Sequence, residues 1–84
     1  MIKNITKRQL ETLNVIYKNI ESLGFPPSLA DLREALKVAS NQSVINFLKV
    51  LEHNGYIKRE EGLARGLKIL PKGYNTLGVD LLVP

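Results

Sequence analysis

Ser28 to Gly55 reads SLADLREALKVASNQSVINFLKVLEHNG, and the spacing inside this stretch decides the fold. Ser28 has a hydroxyl that can accept from the N–H groups a helix start leaves unpaired, and Asp31 lies beside the positive end of that helix. Leu29, Leu32, Ala35 and Leu36 then recur at helical steps, the buried stripe of a short helix ending near Lys37. Only Val38 and Ala39 intervene before Ser40 opens another helix. Its inner face is Val44, Phe47, Leu48 and Leu51, and it covers about residues 41–54 until Gly55 stops it. Two helices joined by so short a turn have the helix-turn-helix spacing.

Upstream, Thr6 followed by Gln9 is a capping-box pattern. Leu10, Leu13, Ile16, Tyr17, Ile20 and Leu23 form one apolar face, Gly24 stands at the C-terminal position, and Pro26-Pro27 forbids continuation. A first helix over about residues 7–23 follows. Downstream the period changes. Tyr56–Glu60 and Arg65–Leu70 read as strands joined by Glu61-Gly62-Leu63-Ala64, a hairpin signal. The expected class is mainly α with a small β-hairpin: a three-helix winged helix-turn-helix over residues 1–71. Residues 72–84 (KGYNTLGVDLLVP) read as a C-terminal tail with turn residues at Gly73 and Gly78.

Composition narrows the function. With 84 residues, 44% of them apolar and 24% charged, the chain has the make-up of one small globular domain. It has no cysteine and one histidine, His53, so neither a disulfide, a metal site nor a bound cofactor is expected. No apolar run is long enough for a membrane span, the start lacks a signal peptide's apolar block, and no phosphate-binding GxxxxGK[ST] occurs. No constellation of catalytic residues or small-molecule site stands out, so the chain as such is not expected to be an enzyme. The net charge is +4. Its placement is uneven: residues 1–9 hold Lys3, Lys7 and Arg8 with no acid, and residues 56–72 hold Lys58, Arg59, Arg65, Lys68 and Lys72 against Glu60 and Glu61. The middle is balanced. The partner this favours is a polyanion.

On the third helix, Gln42, Asn46, Lys49 and His53 fall within about a 60° sector opposite Val44, Leu48 and Leu51. Amide side chains donate and accept together and match the N6/N7 edge of adenine, while lysine reaches guanine or a phosphate. Ser40 and Ser43, at the helix start, can bond a base or a phosphate. Ile45 is open between flank packing and contact with a thymine methyl; Val50 is expected to pack on the flank. His53 is read as a surface residue near a helix C-terminus. In the hairpin, Lys58, Arg59, Arg65 and Lys68 are placed to follow a phosphate backbone, with the Gly62 tip toward a groove, while Ile57, Leu67 and Ile69 pack inward. Any exposed helix face is polar in this way. Its position, after the tight turn and before a basic hairpin, favours DNA over an unremarkable solvated surface.

Gly24-Phe25-Pro26-Pro27-Ser28, Asp31-Leu32, Ala35-Leu36, Ser40, Val44, Leu48, Leu51-Glu52, Gly55-Tyr56-Ile57, Arg59, Gly62 and Arg65, with the opening Thr6-Lys7-Arg8-Gln9, resemble the N-terminal DNA-binding domain of LexA-type repressors. The likeness covers residues 5–70. It implies sequence-specific binding of double-stranded, palindromic operators by a homodimer, in repression of DNA-damage (SOS) genes. It also implies a cytoplasmic, nucleoid-associated protein of a prokaryote. Carried over by position, Ser40, Gln42, Ser43, Ile45 and Asn46 would read bases and Lys49 would face the backbone. The chain departs from the pattern at Lys37, where glycine is common, so that a differently shaped turn is expected. It departs again at Ile45, where a polar or acidic residue is frequent. The tail is similar to the approach to that family's hinge, while the serine–lysine peptidase domain that makes such repressors self-cleaving is not in these residues. The rival readings are a winged helix used for protein interaction, and the DNA-binding half of a self-cleaving repressor.

Overall fold

The computed structural model describes residues 5–60 and 66–78. In chain order it contains α1 (Lys7–Leu23), α2 (Leu29–Leu36), α3 (Asn41–His53), β1 (Ile57–Arg59), β2 (Leu67–Ile69) and α4 (Pro71–Leu77). Three helices and an antiparallel hairpin give the winged helix-turn-helix, and a fourth helix is added to it.

Each of the first three helices begins on a hydroxyl. Thr6 and Gln9 cap α1 reciprocally, Ser28 and Asp31 do the same for α2, and Ser40 accepts from Ser43 N–H at the start of α3. Helix α1 ends at Gly24, whose φ of 85° is the left-handed conformation glycine takes without steric penalty. At the end of α2 the same conformation falls on Lys37, with φ 57° and ψ 44°, and its N–H donates to the carbonyls of Arg33 and Glu34. The turn into α3 is thus one that glycine would make freely; this chain builds it with a lysine and takes the strain. Helix α3 stops one residue earlier than expected, with Asn54 as its C-cap.

Leu13 and Ile16 of α1, Leu32 of α2, Val44, Leu48 and Leu51 of α3, and Tyr56, Ile57 and Ile69 of the hairpin form one buried cluster. Several residues assigned to the inner stripes lie elsewhere. Ala35 is exposed, as are Leu10 and Leu23, the latter 58% so. The helix–helix contact is narrower than the apolar stripe, and the ends of a stripe on a long helix overhang it. Thr12 is fully buried instead; its hydroxyl donates to the Arg8 carbonyl at 2.9 Å, which removes the penalty of burying it.

The hairpin is shorter than the alternating runs suggest, with Ile57 opposite Ile69, Lys58 opposite Lys68 and Arg59 opposite Leu67. The hairpin tip and the last residues fall at 61–65 and 79–84, outside the described residues, and with them Gly62 and Arg65. Beyond β2 the chain does not continue as a turn-rich tail. Pro71 occupies the first turn of α4, where its missing N–H costs nothing, and Gly78 closes the helix with φ 81°. Tyr74 packs edge-on against Tyr17 of α1, ring centres 6.1 Å apart, and Leu77 lies against the core. Gly73, read as a turn residue, is buried inside this helix. A Cβ there would come within 2.5 Å of the Tyr56 carbonyl oxygen and 2.6 Å of Ile69 Cγ2.

Two substitutions test these backbone arguments. Lys37→Gly should raise stability by about 0.5–1 kcal/mol, since relief of the left-handed strain exceeds the added chain entropy. A thermal midpoint higher by a few degrees is expected, and an unchanged or lowered one contradicts the strained turn. Gly73→Ala, which would stabilise an exposed helix, should here cost about 1–3 kcal/mol through overpacking, read by denaturant unfolding.

Candidate nucleic-acid interface

The outer face of α3 is set by its inner one. Because Val44, Leu48 and Leu51 are buried, the residues half a turn away point outward: Gln42, Asn46, Lys49 and His53 are all exposed. The structure thus brings together the four side chains that periodicity placed in one sector. Gln42 Nε2 donates to Asn46 Oδ1 at 3.0 Å, so the two amides are joined. Ser40 is exposed, but its hydroxyl already accepts from Ser43 N–H and lies 3.3 Å from Ser43 Oγ. Its first duty is the helix cap. Ser43 and Ile45 are half-buried on either side of the polar sector. Val50, expected to pack on the flank, is 38% exposed instead.

In the hairpin the pleat separates two populations. Ile57 and Ile69 enter the core, while Lys58 and Lys68 stand opposite one another on the exposed side. Like charges directly across a strand pair repel, and neither lysine has a carboxylate partner among the described residues. Arg59 is half-buried beside them; Arg65 lies outside the described residues.

Two cations counted in the basic segments are used internally. Arg8 donates through Nη2 to the Leu36 carbonyl at 2.7 Å, pairs with Glu11 at 2.9 Å, and stands 5.7 Å from the Phe47 ring centre. Lys72 donates through Nζ to the Asn54 carbonyl at 2.7 Å and lies 4.7 Å from the Tyr56 ring centre. Each satisfies a carbonyl left unpaired at a helix end. Nothing local in the sequence marks either contact, because partner and donor are 28 and 18 residues apart. Among the described residues there is no grouping of His, Asp or Glu suited to a metal ion, and no helix long and apolar enough to cross a membrane.

A polar, amide-bearing helix face beside a hairpin whose exposed lysines have no carboxylate partner among the described residues is suited to a double-stranded polyanion: amides for base edges, lysines for phosphates. The chain is 34% identical over 68 residues to a LexA repressor of Citrifermentans bemidjiense, covering 81% of this chain and 34% of that protein. It is 32% identical over 80 residues to the LexA repressor of Pediococcus pentosaceus, covering 95% of this chain and 38% of that one. With the LexA repressor of Frankia alni it shares 39% identity over 66 residues, 79% of this chain and 26% of the relative. The chain therefore spans about a third of the length of the curated relatives it matches. The sequence profile of the LexA DNA binding domain matches residues 2–66, and with the winged helix-turn-helix and its polar third helix in place, the chain belongs to that family.

Proposed function

We propose that this chain is the sequence-specific, double-stranded DNA-binding part of a LexA-type transcriptional repressor acting on DNA-damage (SOS) genes. Helix α3 enters the major groove. Gln42 and Asn46 read base edges, with Ile45 against a thymine methyl and Ser40 and Ser43 contributing at the helix start. Lys49 and the hairpin cations Lys58, Arg59, Arg65 and Lys68 lie along the sugar–phosphate backbone. The observation that carries the reading is the facing pair Lys58 and Lys68, exposed and without a carboxylate partner among the described residues. Such a pair costs stability in the free protein, and a phosphate backbone is the partner that turns the cost into binding energy.

One α3 and one hairpin offer few phosphate contacts, so useful affinity calls for two copies on a palindromic operator with half-sites a helical turn apart, about 34–36 Å. The protein would act on the nucleoid, in the cytoplasm of a prokaryote. Because the chain spans about a third of its relatives, we also infer that it is the DNA-binding half of a longer, self-cleaving repressor whose serine–lysine peptidase lies beyond these residues.

The hairpin assignment separates stability from binding. Lys58→Glu places opposite charges across the strands and should stabilise the fold by about 0.2–1 kcal/mol. The same change should weaken binding to specific and random duplexes alike. Lys58→Ala should lower the slope of log affinity against log salt by about one, because one fewer counterion is released from the duplex. Fluorescence anisotropy over a salt series reads the slope. A flat salt dependence in the unaltered chain, or a slope insensitive to Lys58, removes the hairpin from the backbone.

A further inference from the structure

Gln42 and Asn46 are one helical turn apart on the exposed face of α3, and they do not act as separate side chains. The hydrogen bond from Gln42 Nε2 to Asn46 Oδ1, 3.0 Å long, runs in the direction in which glutamine supports a helix through an acceptor four residues on. It consumes a donor of one amide and an acceptor position of the other. Turning either amide over would bring two donors or two acceptors together and break the bond. The two orientations are therefore coupled: turning both amides together only reverses the bond, and either way one acceptor and one donor face outward, here Gln42 Oε1 and Asn46 Nδ2.

An acceptor beside a donor is what the adenine edge requires in the major groove, where N7 accepts and the N6 amino group donates. Guanine presents two acceptors there and cytosine a donor, so neither satisfies both protein atoms. Resting on the assignment of α3 as the base-reading helix, we propose that Gln42 and Asn46 form a single reading unit for one A·T pair. Asn46 Nδ2 donates to adenine N7, and adenine N6 donates to Gln42 Oε1. The bond between the amides keeps the two contacts in register, so less side-chain freedom is lost on binding than with two free amides. Gln42 is thereby both a contact and the positioning residue for Asn46. Two independent amides would each read their own base pair; a joined pair reads one.

That difference is measurable. The 84-residue chain selects its preferred duplex from a random-sequence library, and each base pair of that duplex is then replaced in turn. Both positions are exposed, so Gln42→Met and Asn46→Ala should leave the thermal midpoint in place. Each should reduce discrimination on the order of tenfold at the same A·T pair. The variant carrying both changes should lose no more than the larger single loss. Replacing the adenine of that pair with 7-deazaadenine, or with purine lacking the N6 amino group, should weaken the unaltered chain and leave the double variant unaffected. Losses at two different base pairs, or losses that multiply in the double variant, overturn the shared unit while keeping α3 as the reader. Full discrimination in both single variants removes Gln42 and Asn46 from base reading and overturns the shared unit with them.

Discussion

Arg8 reaches from the first turn of α1 to the carbonyl oxygen of Leu36, the last residue of α2, while its guanidinium faces Phe47 of α3. Three helices meet at this one group. Their apolar stripes decide which faces touch, but a stripe of leucines tolerates sliding and rotation; a 2.7 Å charge-assisted hydrogen bond to one carbonyl does not. The carbonyl it takes immediately precedes Lys37, whose left-handed backbone makes the turn into α3. The direction in which α3 leaves α2 is thus held from both sides: by the strained turn within the chain, and by a cation from α1 across it. On the proposed reading, what α3 presents to a duplex depends on that direction.

The basic residues divide into two groups with different physical roles. Arg8 and Lys72 complete helix ends and lie over aromatic rings, so their charge is largely used within the fold. Lys49, Lys58 and Lys68 are exposed. Lys7, Lys18, Arg33 and Lys37 are exposed as well, on α1, on α2 and at the turn after it, so what sets the hairpin lysines apart is that Lys58 and Lys68 face one another across the strands. A protein-interaction surface would reverse this pattern, with apolar anchors at its centre and charge at the rim; here the apolar residues Ile45 and Val50 are at the edges and the amides are in the middle.

The first three helices were legible because each begins with a hydroxyl and because helical periodicity is a local signal: α1 has the expected bounds, and α3 differs by one residue. The polar sector of α3 followed from the same arithmetic. Helix α4 was missed for a physical reason. KGYNTL is poor in helix formers, and the segment is held by Tyr74 on Tyr17 and by the fit of Gly73 against Tyr56, contacts that no local pattern carries. Pro71 and Gly78 did mark its two ends, the asymmetry expected of a helix, and could have identified it. The internal roles of Arg8 and Lys72 were not legible at all: a lysine that caps a distant helix and one that meets solvent look the same in sequence. The joined amides were visible as a pair at four-residue spacing, but their mutual bond was not.

Helix α4 also bears on the interface, although it lies outside the helix-turn-helix. The side chains of Tyr56, Ile57 and Ile69 anchor the base of the hairpin in the core, and α4 closes against the same place, with Leu70 N–H and a would-be Cβ of Gly73 both directed at the Tyr56 carbonyl. Lys72, one residue earlier, ties that helix to the end of α3 through Asn54. Hairpin, α3 and α4 are consequently tied to one another at the short link between α3 and β1, through the carbonyls of Asn54 and Tyr56. Long lysine side chains lose rotamer freedom when they bind phosphate, and a mobile hairpin would lose backbone freedom as well. On the proposed reading, anchoring the strands beforehand leaves only the side-chain cost when the exposed pair Lys58 and Lys68 meets phosphate.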